Sequence, residues 1–282
     1  MYFHAYIDKD GRKYSLIGHS IDTLLVALKT NINKRLYTVT CRIIERDDYR
    51  EVIHSYLLLP FLLHDIGKIM IMYQERPAKW NYGYAFHEIV GGILMYRISE
   101  EILEDDVGGV DYQMLRYLLV ESVKRHHYSM NRGLNELIET INRGLLKFVN
   151  GVYNVVKRSD LEKYILGIKT CLERYSEMVP RQLNNILDNI IEKALPNMRD
   201  TLFSLYTART LEQKIKKIED YLRSKNVNEA FIYNAVLTGL ISLADYTAAS
   251  IERSNKLRGY ASKFYSKSEI KEINAIIPVE CR

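Results

Sequence analysis

Cysteine is scarce in this chain of 282 residues: there are three, Cys41, Cys171 and Cys281, far apart and with no CxxC pair. That pattern indicates neither a zinc knuckle nor a disulfide framework, and it fits a reducing compartment, so a cytoplasmic location is expected. The longest apolar run is interrupted by His64, Asp65 and Lys68, too short and too polar to span a bilayer, so no membrane is expected among the partners. The opening MYFHAYIDKDG has no basic region followed by an apolar run, so no signal peptide is expected. A GxxxxGK(S/T) phosphate loop is missing, so strand separation by a helicase would have to come from another chain. No Ser-His-Asp or Cys-His arrangement stands out. Charge of one sign is not in large excess either. A net charge of +5 permits a polyanionic partner without demanding one.

What is present is ordinary for a folded chain, with 47% hydrophobic and 27% charged residues, enough for one sizeable core or two small ones. Tyrosine is common, 22 against 7 Phe and 1 Trp, which serves as amphipathic filler or as a stacking surface for bases. The stretch around which the rest is organised is Leu57 to Met72, LLLPFLLHDIGKIMIM, apolar except for His64, Asp65 and Lys68. A buried His-Asp pair is costly unless something pairs with it, and both residues are good metal ligands. Lys68 shares their helix face. A core helix with one satisfied histidine would also explain the pair taken alone.

Taken in order, residues 2–7 and 12–17 around DKDG read as a hairpin. Gly18 closes it, and His19 opens a helix with an Ile21, Leu24, Leu25, Leu28 stripe. Asp47 or Asp48 is placed to cap the helix that leads into the His-Asp segment, and Pro60 should end or kink that helix just before His64. QERPAKWNYGYAF reads as a loop. His87 then starts a helix to about Leu103, in which Gly91 and Gly92 suggest close approach of another backbone. GGVD (108–111) breaks and caps before a helix from Tyr112 to about Tyr128, whose end holds Lys124, Arg125, His126 and His127, cations at the negative end of the dipole. Residues 134–225 read as amphipathic helices with breaks at Asn150-Gly151, Pro180 and Pro196. The last strong helix runs from about Asn228 to Ile251 and carries Asp245 on an otherwise apolar face. Residues 251–271 hold six Lys or Arg against two Glu, and Lys256, Arg258, Tyr260, Lys263 and Tyr265 form a candidate nucleic-acid or partner contact, a solvated basic tail being the alternative. His4 and His54 read as structural.

The ordered set His19, His64-Asp65, Lys68, His87, His126-His127 and Asp245 falls at the starts, ends or apolar faces of helices. Paired metals need a bridging carboxylate with several neutral imidazoles around it, and Asp65 is placed to bridge. The order H…HD…K…H…HH…D resembles the HD phosphohydrolase superfamily. It most closely resembles the HD nuclease of CRISPR type I interference, here as a stand-alone subunit without its helicase. The resemblance covers about residues 1–130 and 228–250; no known motif matches the segment between.

That resemblance implies an all-α fold: an HD-domain helical bundle with a small N-terminal β-hairpin. It implies one domain over residues 1–282, with a helical insertion at about 134–225 and a basic C-terminal segment at 251–282. It implies a metal-dependent nuclease that cuts single-stranded DNA, working with a helicase subunit and a crRNA-guided surveillance complex. Two divalent ions are implied, manganese, nickel, cobalt, iron or magnesium. The first is held by His19, His64, Asp65 and Asp245, the second by Asp65, His87, His126 and His127, with Lys68 near the scissile phosphate. Asp65 and Lys68 are thus the implied catalytic pair. The HD-GYP cyclic-dinucleotide phosphodiesterases share the ordered ligands, but their DGxGYP signature is missing, since His127 is followed by YSMNRG. A nucleotide phosphohydrolase of the wider superfamily is a further alternative. A helical scaffold with a lapsed site is another, against which the complete ligand set argues.

Overall fold

The computed structural model describes residues 3–7, 11–75, 86–103, 107, 109–127, 154–254 and 259–276. The fold is all-α with a small hairpin at its N-terminal end. Strand β1 (His4–Ile7) pairs antiparallel with β2 (Lys13–Ser15), Tyr6 opposite Tyr14 and Ile7 opposite Lys13. Ser15 ends β2 and caps α1 (Leu16–Lys29), its hydroxyl accepting from the Gly18 amide. A serine oxygen that satisfies a first-turn amide starts the helix here, so His19 lies inside the first turn rather than at the helix start. Thr30 then caps α2 (Asn31–Ile43).

Helix α3 (Arg50–Leu63) carries Pro60 in its last turn. The helix ends just before His64 as expected, but three residues beyond Pro60 rather than at it: Phe61, Leu62 and Leu63 are fully buried, and their burial outweighs the one backbone hydrogen bond that Pro60 removes. The helix stops at His64, after which Ile66–Ile69 form a 3-10 turn before α4 (Ile71–Glu75). Neither Asp47 nor Asp48 caps α3: they lie in a 3-10 turn, and Asp47 pairs with Arg50 instead. Helix α5 (His87–Ile102) and α6 (Tyr112–Arg125) follow, the latter capped by Asp111, whose Oδ1 accepts from the Gln113 and Met114 amides. Residues 76–85, where a loop is expected, lie outside the described residues, as do 128–153.

Beyond 154 the chain forms β3 (Val155–Val156), α7 (Arg158–Leu172), α8 (Arg181–Asn189), α9 (Leu195–Asn197), β4 (Thr201–Leu202) and α10 (Leu205–Ser224). Pro180 precedes α8 as expected, whereas Pro196 breaks nothing: α8 continues through a π-turn (Ile190–Ala194) into α9, and Pro196 lies next to the last residue of that helical run, Asn197. The two-residue ladder of β3 with β4 is not legible in the sequence. The long α11 (Glu229–Ser254) and the short α12 (Lys267–Asn274) complete the chain. One buried apolar cluster joins α1, α3, α5, α6 and α11 and continues into α7, α8 and α10. Cys41 is a free surface thiol, and Cys171 is buried. No helix among the described residues is long and apolar enough to cross a membrane.

Two glycines set the distance between the His-Asp turn and α5. A Cβ on Gly67 would lie 2.0 Å from the His87 carbonyl oxygen and 2.7 Å from the Gly91 nitrogen. A Cβ on Gly91 would lie 3.1 Å from Val123 and 3.5 Å from the His64 carbonyl oxygen. The backbones meet here because neither carries a side chain, which answers the expected close approach at Gly91. Gly92 meets side chains instead, those of Leu211 and Lys124.

A candidate metal centre between five helical segments

Each site residue stands at a helix end or on a face that packing turns inward. His19 comes from α1, His64 and Asp65 from the turn after α3, and Lys68 from the 3-10 turn that follows. His87 is the first residue of α5; the preceding Phe86 is buried with φ 67°, a left-handed conformation rare for a bulky residue. Such a backbone persists only where its surroundings over-determine it, and here it starts α5 at the site. His126 and His127 follow α6, and Ser242 on α11 donates to the His126 carbonyl. Asp245 projects from α11.

The seven candidate ligands converge in two groups, within each of which the ligand atoms lie within 4.8 Å of one another: Asp65, His87, His126 and His127, and His19, His64 and Asp245. Asp65 faces both groups with different oxygens. Its Oδ1 is 2.8 Å from His87 Nε2 and 3.5 Å from His126 Nε2. Its Oδ2 is 3.5 Å from His64 Nε2, 3.6 Å from His19 Nε2 and 2.5 Å from Lys68 Nζ. Asp245 divides similarly: Oδ1 is 2.9 Å from His19 Nε2 and 3.7 Å from His64 Nε2, and Oδ2 is 3.8 Å from His127 Nδ1. The resemblance places Asp245 with the first ion only, and its approach to His127 comes from the packing of α11 against the end of α6.

The outer nitrogens fix how the rings present themselves. His64 Nδ1 donates to the Phe61 carbonyl at 3.0 Å and His126 Nδ1 to the Val123 carbonyl at 2.6 Å. With Nδ1 donating outward, Nε2 of each ring is turned toward the centre, where a cation would meet its lone pair. His19 Nδ1 instead meets the buried carboxylate of Glu252 at 2.9 Å, and His87 Nδ1 lies 3.5 Å from Glu88. Each group thus contains one imidazole held by its own helix, while a hydrogen bond to a buried carboxylate holds His19, and Glu88 only lies beside His87.

Buried atoms left without hydrogen bonds mark the chemistry. His64 Nε2, His126 Nε2, His127 Nδ1 and Asp65 Oδ1 are buried with no hydrogen-bond partner among the described residues. Leaving polar atoms unsatisfied costs stability, and nitrogen and carboxylate lone pairs that converge fit a divalent cation. The buried groups are therefore compatible with a divalent metal.

Burial works against every charged form here, and neighbours decide the outcome. It wins at His64, whose pKa falls, and at His127, pushed down to about 2 with the adjacent His126 adding to the effect. At His19 burial is outweighed by Glu252 and Asp245, which hold its pKa well above the ordinary histidine value. At His126 burial is likewise outweighed by the Asp65 carboxylate, 3.5 Å from its Nε2. Burial raises the two aspartates, but Lys68 and the surrounding imidazoles hold Asp65 well below the carboxylate range, and the His19 hydrogen bond with the nearby His64 imidazole does the same for Asp245.

The basic C-terminal candidates fare differently. Lys256 and Arg258 lie outside the described residues. Tyr260 and Lys263 belong to the 3-10 stretch Gly259–Phe264, with Lys263 exposed. Tyr265 is not available to stack on a base: it is buried against α11, its hydroxyl 3.0 Å from Thr247 Oγ1. The ring completes a core contact, which the basic surroundings in sequence conceal. His54 is structural as expected, bonded to Thr40 and Asn33 away from the centre.

Glu252 and Glu88 are site residues that sequence reasoning missed. Glu252 follows Asp245 by seven residues on one helix, two turns on and on the same face, which is the one signal that could have found it. No family model, no curated protein and no solved structure matches this chain.

Proposed function

We propose that this chain is a metal-dependent phosphodiesterase of the HD type that cuts single-stranded DNA. In that reading it is the nuclease subunit of CRISPR interference, acting in the cytoplasm with a separate helicase and a crRNA-guided complex. The observation that supports the reading is the division of Asp65, one oxygen toward His87 and His126, the other toward His19 and His64. A carboxylate so placed is what two adjacent cations need as a bridge. Asp65, His19, His64 and Asp245 would hold one ion, and Asp65, His87, His126 and His127 the other, with manganese, nickel, cobalt, iron and magnesium all suited to such ligands. Divalent ions bound there supply Lewis acidity and a water of lowered pKa. The chain's own residues do the rest. Lys68, with 10% of its side chain accessible, places positive charge beside Asp65 for the phosphate of the transition state. The apolar residues of α3 and α5 keep bulk water from the ligands and strengthen every charge interaction within.

A substrate panel with manganese tests this: single-stranded DNA, blunt duplex, RNA, deoxynucleoside triphosphates and cyclic dinucleotides. Cleavage of single-stranded DNA with duplex largely spared is expected. Hydrolysis confined to triphosphates or cyclic dinucleotides would move the chain to another branch of the superfamily.

A further inference from the structure

We infer that Glu252 is a positioning residue for the metal centre: it holds His19 with Nδ1–H turned outward and Nε2 presented to a divalent cation, and Tyr6 ties that support to the N-terminal hairpin. The inference rests on the metal-centre reading above, and not on the identity of the substrate.

The geometry is specific. Glu252 is buried, and its two oxygens have separate tasks: Oε1 lies 2.9 Å from His19 Nδ1, and Oε2 accepts from the Tyr6 hydroxyl at 2.5 Å. A carboxylate accepts only, so the nitrogen that faces Glu252 must carry a proton; Nε2, which faces Asp245 and Asp65, is then the ring nitrogen that a cation seated between those carboxylates would meet, its proton leaving as the ion binds. Nε2 does point there, 2.9 Å from Asp245 Oδ1 and 3.6 Å from Asp65 Oδ2. Tyr6 is itself held in place. It stacks on Tyr14 with ring centroids 4.3 Å apart, the Arg253 guanidinium lies 4.3 Å from its centroid, and its ring meets His19 edge-on at 6.1 Å.

His19 needs this help where its neighbours do not. His64 and His126 donate to carbonyls three residues back in their own chain, so forming the helix orients the ring. His19 has its outer nitrogen on a side chain 233 residues away, and that side chain is braced by the hairpin. Orientation of His19 therefore depends on the docking of α1, α11 and the hairpin together. A tyrosine, a glutamate and a histidine in series make the His19, His64 and Asp245 group the one that answers to the hairpin.

The experiment is calorimetric titration of wild-type, Glu252→Gln and Tyr6→Phe proteins with manganese. Glu252→Gln keeps the side chain's size but replaces an obligate acceptor with a group that can also donate. One of two binding events should weaken by about 10–100-fold, in line with losses of outer-shell partners elsewhere, while the other stays within about 3-fold. Tyr6→Phe leaves Glu252 in place and should weaken the same event by a smaller factor. Independently of any variant, long-range proton–nitrogen correlation in zinc-loaded wild-type protein should show His19 protonated on Nδ1. A zinc-loaded wild type with His19 protonated on Nε2 would overturn the inference. So would a Glu252→Gln protein that binds both ions as wild type does, or one in which both events weaken alike. A wild type that takes up no metal would overturn the metal centre as well; two ions bound by wild type and equally by the variant would remove Glu252 alone.

Discussion

At the scale of the residue, the chemistry turns on Asp65. It is fully buried, its two oxygens face different imidazole groups, and Lys68 is 2.5 Å from one of them. Replacing it with Asn keeps the shape and removes the charge, so Lys68 and the raised His126 lose the carboxylate that offsets them. We predict that Asp65→Asn and Asp65→Ala lose both metals and all DNA cleavage while the far-ultraviolet circular dichroism stays near wild type. His87→Ala should weaken mainly one ion, because its contact is with one oxygen of Asp65. Metal analysis of the purified variants decides the matter: an Asp65→Ala protein that keeps two ions and still cuts DNA would rule out the bridge.

At the scale of the element, the centre depends on how closely the 3-10 turn after α3 approaches α5. Gly67 permits that approach, since a methyl group there would sit 2.0 Å from the His87 carbonyl. Backbone cannot yield as a flexible side chain does, so Gly67→Ala should cost at least about 3 kcal/mol, the upper part of the range for overpacking. It should also lower metal affinity, because separating the two segments moves His87 away from Asp65. Gly239 on α11 is exposed, and a Cβ there meets nothing within 4 Å. Gly239→Ala should therefore stabilise the protein by about 0.5–1 kcal/mol through helix propensity alone. Urea unfolding midpoints measure both. Equal effects of the two substitutions would mean that the close approach is not a constraint.

At the scale of the molecule, the ligands come from segments that only the folded chain brings together, His19 and Asp245 being 226 residues apart in sequence yet 2.9 Å apart in space. An ion that binds this arrangement does not find it in the unfolded chain, so binding adds to folding stability. With free metal at 100 times the dissociation constant, the gain is about 2.7 kcal/mol, enough to raise the melting temperature by several degrees. We predict that manganese raises the thermal midpoint and that a chelator reverses the rise. A midpoint indifferent to both would speak against a metal in the folded protein.

The sequence by itself determined the fold class and most of the elements, because their causes are local. The hairpin follows from β-prone runs around an Asp/Gly turn, α5 begins at His87 as its periodicity indicates, and the expected Asn228–Ile251 helix appears as Glu229–Ser254. The convergence of His19, the His-Asp pair, His87, the double histidine and Asp245 could be expected from polar residues placed on apolar faces, where burial is affordable only in company. Only the tertiary structure decided which oxygen of Asp65 faces which imidazole, and that Asp245 reaches His127 as well as His19. It also turned Tyr265 into the core, paired β3 with β4, and made Glu252, one acidic residue among the basic ones after Ile251, the partner of His19. The physical reason is the same in each case. Capping, turns and periodicity act within a few residues, whereas the orientation of a side chain at a shared centre is set by helices packing from the far ends of the chain.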